Sequence, residues 1–172
     1  MNPREQMRGG VGEQPQPASR REYSAPALAT GEIQVRVYYE DTDAAGMVYH
    51  ANYLRFAERG RTEMLRRIGF GQRRLREESG VGFAVRRCAV DYRAPARLDD
   101  ALTVGTRVVD AGAATLTMRQ EIRRDSEIIV AVDVLVACIG REGRPRRLPI
   151  ALRRALGCDD RRKPGLVTPM SN

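Results

Sequence analysis

The run Tyr38-Tyr39-Glu40-Asp41-Thr42-Asp43-Ala44-Ala45-Gly46-Met47-Val48-Tyr49-His50-Ala51-Asn52-Tyr53 gathers acids, hydroxyls, a glycine and the chain's one histidine into a single short stretch. Upstream, Ile33, Val35 and Val37 alternate with Gln34 and Arg36, the period-two pattern of a half-buried strand starting near Glu32. Downstream, from about His50 to Gly69, the apolar positions Leu54, Ala57, Met64, Leu65 and Ile68 fall mostly three or four apart, as on one stripe of a helix. The run is therefore a strand-to-helix turn. At such a turn the first amides of the helix have no intrahelical acceptor, so an oxygen that becomes negative during a reaction can be held there.

Working outward, Gly69 suits the residue just past the helix end. Gly60 inside the helix costs about 1 kcal/mol against alanine, which close approach to a neighbouring backbone would offset. Four more strands are expected, with turns at Asp99-Asp100, Ala111-Gly112 and Asp125-Ser126. In the segment from 81 to 93, Phe83 and Val85 lie in one phase and Cys88, Val90 and Tyr92 in the other, which predicts a bulge near Arg86-Arg87. Leu116, Met118 and Ile122 share one face of the next strand but one. Ile128 to Ile139 is apolar at nearly every position except Asp133, the pattern of a mid-sheet strand covered on both faces. A short helix follows Pro149 and runs through Leu156. Antiparallel neighbours joined by short turns, with one long helix as cover, give an α+β domain: a five-stranded antiparallel sheet packed around one long central helix.

The motif run, its continuation through Leu54-Arg55-Phe56-Ala57-Glu58-Arg59-Gly60-Arg61-Thr62-Glu63-Met64-Leu65-Arg66-Arg67, the segment Tyr92-Arg93-Ala94-Pro95-Ala96-Arg97-Leu98-Asp99-Asp100, and Arg146-Arg147-Leu148-Pro149 together resemble the tol-pal-associated branch of the 4-hydroxybenzoyl-CoA thioesterase family. The resemblance covers roughly residues 32 to 155. It implies the hotdog fold, cleavage of a short-chain or aromatic acyl thioester of coenzyme A or of an acyl carrier protein, and pairing of chains into a homodimer or homotetramer that shares its sites. Where that family has two glycines before the helix, this chain has Ala45 and Gly46, so the turn would be strained if Ala45 needed a positive φ.

By that resemblance Asp43 matches the family's acid, acting either as the nucleophile that forms a mixed anhydride or as a base on water. Backbone amides around Gly46, Met47 and Val48 are the expected oxyanion donors. His50, seven residues after Asp43, is expected to activate water, to donate to the leaving thiolate or to position Asp43. Tyr39 is carried over as a polar support or proton donor. Some hotdog thioesterases use a glutamate on the helix instead, but Glu58 beside Arg59 and Arg61, and Glu63 four before Arg67, are accounted for as helix-surface ion pairs. For the coenzyme A phosphates the candidates are Arg144, Arg146 and Arg147, with Arg86-Arg87 and Arg123-Arg124 as alternatives.

A chain of 172 residues suits one domain, set here at 31–157, behind a disordered leader of residues 1–30 rich in Gly, Pro, Gln and Arg and ahead of a flexible tail, 158–172. The formal charge of +8 is almost all arginine, Lys163 being the one lysine. With no Trp and few aromatics, it reads as a solvated surface rather than a nucleic-acid interface. Cys88, Cys138 and Cys158 are odd in number and widely spaced, suggesting neither disulfides nor zinc, and a reducing cytoplasm fits. No apolar run reaches the length of a membrane span. No bound cofactor or metal is expected, coenzyme A entering as part of the substrate. The competing expectation is a non-catalytic module on the same scaffold that binds acyl-CoA or an envelope partner.

Overall fold

The computed structural model describes residues 29–157. Most of the predicted leader and all of the predicted tail, with Cys158, lie outside the described residues.

Eight elements follow one another: β1 (Thr30–Arg36), α1 (His50–Arg67), α2 (Gln72–Glu78), β2 (Val81–Tyr92), β3 (Ala101–Ala111), β4 (Thr115–Arg124), β5 (Glu127–Gly140) and α3 (Ile150–Ala155). The strands form one sheet in the order β1-β3-β4-β5-β2, antiparallel throughout. β3, β4 and β5 are a meander joined at the expected turns, and Asp125 takes the left-handed backbone (φ 52) that the tight β4–β5 turn needs. β2 and β3 are consecutive but not neighbours: residues 93–100 carry the chain across the sheet, so the expectation that consecutive strands pair fails at this one connection. The bulge is where the phase change placed it, between Val85 and Arg87 in the register with β5. β1 begins at Thr30, and Ala29 is buried with Met64.

α1 ends as predicted, with Gly69 at φ 88 and the Phe70 amide donating to the Leu65 carbonyl. Its buried stripe keeps Ala57, Met64 and Leu65 of the expected one but not Leu54. Tyr53, Phe56, Ala57, Gly60, Arg61, Met64 and Leu65 face inward, whereas Leu54 is 37% exposed. Gly60 seats the helix closely on the sheet, because a Cβ there would lie 2.8 Å from Thr106 Oγ1 and 2.9 Å from Val104 Cγ1. The close approach is thus to side chains of β3 rather than to a backbone. α2 went unread, since its seven residues bury only Leu75. α3 closes one end of the core with Leu152 and Leu156.

Two apolar clusters lie between α1 and the sheet. One packs Phe56 and Ala57 against Leu102, Val104 and Ile122, and the other packs Met64 and Leu65 against Val108, Leu116 and Met118. Between them runs a buried polar layer. Gln120 donates to the Ala57 carbonyl (2.8 Å) and to Thr106 Oγ1 (2.7 Å), and accepts from Arg61 Nη1 (2.7 Å).

β5 is flanked on both sides, as expected of an inner strand. Its second face, however, is not fully covered among the described residues. Val130, Val132, Val134, Val136 and Cys138 are buried, while Ala131, Leu135 and Ala137 are half-buried and Asp133 is exposed, paired with Arg119 of β4 at 2.8 Å. β2 is the outer strand on that side, and Val85 on it is 54% exposed.

Gly60→Ala is expected to lower the unfolding free energy by about 1–3 kcal/mol through overpacking, even though alanine favours a helix by about 1 kcal/mol. Urea denaturation with an unchanged slope would register this as a lower midpoint, and a midpoint that rises would remove the steric reading of the helix–sheet contact.

Candidate active site

The segment between β1 and α1 is a closed loop rather than a simple turn. After a 3₁₀ turn at Tyr39–Asp41, Thr42 and Val48 pair as an isolated antiparallel bridge. Inside it the Asp43 amide donates to the Met47 carbonyl (2.9 Å) and the Gly46 amide to the Asp43 carbonyl (2.9 Å). Gly46 takes φ 70 and Ala45 does not take a positive φ, so the alanine in place of a glycine costs the turn nothing. A Cβ at Gly46 would meet nothing within 4 Å, so glycine is needed there for its backbone angle and not for space.

Asp43 stands exposed at the mouth of this loop. Its Oδ1 accepts from the Ala45 amide at 2.9 Å, and its Oδ2 has no hydrogen-bond partner among the described residues. The neighbouring acid does the opposite work. Asp41 is buried, its Oδ2 takes the Tyr38 amide at 2.9 Å, and its carbonyl takes both the Tyr49 amide and Asn52 Nδ2 at 2.9 Å. Asp41 therefore ties β1 to the first turn of α1, leaving Asp43 free.

The expected oxyanion donors divide. The Gly46 amide is spent on Asp43, and the Val48 amide donates to the Ala96 carbonyl at 2.9 Å. This corrects the reading of Val48 as a donor to substrate, and the reason is that α1 begins at His50, so Gly46 and Val48 belong to the loop's own bonding. The Met47 amide has no acceptor among the described residues, and the amides of His50 and Ala51, at the helix start, have no intrahelical acceptor.

His50 is the first residue of α1 and is exposed, with its ring 4.4 Å from that of Tyr49 and 6.4 Å, edge-on, from that of Tyr92. Tyr92 donates to the His50 carbonyl at 3.1 Å. Tyr39 lies in the 3₁₀ turn rather than on the strand, and its side chain is 83% exposed. Arg144, Arg146 and Arg147 are exposed on the segment after β5, and Arg86 and Arg87 are exposed on β2. Arg123 pairs with Glu32 and Arg124 with Glu127 and Asp100, so that third pair is occupied in cross-strand and turn ion pairs. On α1, Glu58 pairs with Arg61 as expected, whereas Glu63 pairs with Arg66 and not Arg67.

Sequence reasoning passed over the residues that hold the loop. Ala96, fully buried, accepts from Val48 through its carbonyl and donates its amide to the Tyr53 hydroxyl at 2.8 Å. Since Ala96 falls in the segment 92–100, that second stretch of the motif is the buttress of the first. Gln120 was readable: it is the polar member of the same inward phase as Leu116, Met118 and Ile122.

Burial raises the Tyr53 hydroxyl above its ordinary value of 10.0, the hydrogen bond from Ala96 acting against that. The raised folded value means that its contribution to stability is complete below about pH 10 and is lost as pH rises through the folded value. Tyr53→Phe leaves the buried Ala96 amide without an acceptor and is expected to cost about 1–3 kcal/mol at neutral pH. Denaturant unfolding of both proteins should show that cost and a weaker alkaline loss in the variant. Equal stability at neutral pH would mean that the buttress does not depend on this bond.

Residues 37–156 match the thioesterase-like superfamily. The acyl-CoA thioesterase YbgC of Haemophilus influenzae is 49% identical over 105 residues, covering 61% of this chain and 77% of that protein. The acyl-CoA thioester hydrolase YbgC of Escherichia coli O6:H1 is 47% identical over 117 residues, 67% of this chain and 87% of that protein. Among solved structures, a probable thioesterase from Bartonella henselae superposes with a TM-score of 0.67 at 42% identity, covering 70% of this chain and 100% of that one.

Proposed function

The chain belongs to the thioesterase-like superfamily and carries its hotdog fold, and from that premise we propose that it hydrolyses acyl-CoA thioesters with Asp43 as the acid at the reacting carbonyl. The likeness to two proteins named as acyl-CoA thioester hydrolases supports the reaction class. The observation that carries the assignment of the acid is that Asp43, unlike buried Asp41, is exposed and keeps one carboxylate oxygen without a partner among the described residues, in the loop whose Met47 amide likewise has no acceptor among them.

In this reading the thioester oxygen lies toward the Met47 amide and the first amides of α1, where the helix dipole adds to their pull. Asp43 Oδ2 then either attacks the carbonyl carbon, expelling the coenzyme A thiolate and leaving an anhydride for water to open, or takes a proton from the water that attacks. His50, beside the same helix start, serves the attacking water or the leaving thiolate. Tyr39 is a wet hydroxyl at the rim, and Arg144, Arg146 and Arg147 are the proposed contacts for the coenzyme A phosphates. An acyl carrier protein is the alternative donor of the same thioester in this reading. The motif residues place the chain, in our reading, in the tol-pal-associated branch of the 4-hydroxybenzoyl-CoA family, with α1 as its central helix and the cytoplasm as its compartment. Among the described residues no helix is long and apolar enough to cross a membrane.

With a panel of acyl-CoA esters and a thiol-reactive dye, the protein is expected to release free coenzyme A. Asp43→Asn should lower kcat by at least about a thousandfold, with an unchanged circular-dichroism spectrum. Hydrolysis at the parental rate in that variant would overturn the assignment, and stabilisation by acyl-CoA without any turnover would favour a binding module instead.

We also propose that the chain works as a homodimer or homotetramer. β2 is an outer strand of twelve residues with Val85 and Tyr92 exposed, and its outer edge, which no described strand pairs, is a template for a second copy. Sedimentation equilibrium should return two or four times 19.2 kDa, and a monomer at micromolar concentration would refute this.

A further inference from the structure

A second chemical centre lies farther along α1, away from the Asp43 loop. A cavity of about 40 Å³ opens between α1, α2 and the sheet, with Phe83, Leu116, Met118 and Val136 among its apolar walls and Glu58, Arg61 and Gln72 as its polar lining. His50, Leu54, Glu58 and Arg61 fall at successive turns on one side of α1, and Glu58 is about 12 Å along the helix from His50. That separation suits the far end of an acyl group rather than its thioester.

The polar side of the cavity is built, not incidental. Arg61 is 8% exposed, and Gln120 fixes it from behind while being itself saturated by Ala57 and Thr106. The guanidinium therefore cannot swing away. Its other nitrogen pairs with Glu58, whose second oxygen is within 3.3 Å of Thr62 Oγ1 and of Gln72 Nε2. A fixed cation and its half-exposed counter-ion leave the lining close to neutral overall, with a donor and an acceptor side by side.

We propose that this cavity receives the far end of the acyl group and selects an aliphatic chain ending in a hydroxyl over the plain and ω-carboxylate chains. This inference rests on the thioesterase reading given above. A terminal hydroxyl donates to Glu58 and accepts from Arg61, so both charged groups keep a partner when water leaves. A methyl end displaces that water and replaces none of its bonds. A carboxylate end meets Glu58 as a like charge. The volume holds roughly three waters, enough for a hydroxymethyl end.

The test uses butanoyl-, hexanoyl- and octanoyl-CoA, each beside its ω-hydroxy and ω-carboxy analogue. At the chain length that reaches the cavity, the ω-hydroxy ester is expected to exceed the plain ester by about tenfold in kcat/KM. In Glu58→Gln that ratio should fall toward one while the ω-carboxy ester gains. The same ratios are read as Kd on the Asp43→Asn protein by calorimetry, so they stand apart from turnover. Absence of a hydroxyl preference at every length, or a preference for the plain or carboxylate ester, overturns the subsite. Turnover that survives in Asp43→Asn overturns instead the reading on which it rests.

Discussion

The seating of α1 on the sheet at Gly60 sets the rest of this molecule. The helix approaches so closely there that no side chain fits between it and Thr106 and Val104. The contact is also where the core changes character, since the apolar clusters on either side of it are separated by Arg61, Gln120 and Thr106. Removing a guanidinium from water costs several kcal/mol, and that cost is met only when its bonds are made at good geometry. A helix shifted by one residue would strand both Arg61 and Gln120. The polar layer thus fixes the register of helix on sheet more sharply than the apolar clusters could, because Leu, Val and Met tolerate repacking and an unpaired buried charge does not.

Register at the middle of α1 fixes both of its ends. At its start, Asn52 and Tyr53 reach the Asp41 carbonyl and the Ala96 amide, and Ala96 in turn holds Val48. The loop that presents Asp43 is clamped from the strand side by Asp41 and from the crossover side by Ala96. Amides without acceptors, held in this way, need no rearrangement when negative charge appears, which is the condition for their electrostatic effect. At its far end, the same register leaves Arg61 against the cavity wall with Gln120 behind it.

Much of the scaffold was legible because it obeys local rules. The phase change across Arg86, the left-handed Gly69 and the short β-turns each leave a signature in neighbouring residues. What escaped was written in tertiary contacts. The motif singles out Asp43, but nothing local marks Asp41 as the structural acid, a role that only its burial and its bonds to Tyr38, Tyr49 and Asn52 reveal. Arg61 three residues after Glu58 has the spacing of a surface ion pair, and nothing local reveals that the same arginine is buried against Gln120. The apolar run in β5 asks for more cover than α1 gives, and Ala131, Leu135 and Ala137 are half-buried in a single chain. The strand order was hidden for a related reason: the eight-residue link from β2 to β3 is long enough to cross the sheet, and pattern alone does not say that it does.

The open side of the sheet brings stability and chemistry to the same place. The outer edge of β2 pairs with no other strand among the described residues, and Val85 on that strand also lines the cavity beside Arg61. Covering the edge with a second copy would pair its backbone groups and, in the same step, exclude water from the cavity mouth. Hydrogen bonds to Arg61 and Glu58 strengthen as the surrounding dielectric falls, and an unmatched group there becomes correspondingly more costly. Association and selectivity would then be coupled through one strand. A chain end that fits the cavity would favour the closed assembly, because a ligand shifts an equilibrium only by the difference in its affinity for the two states.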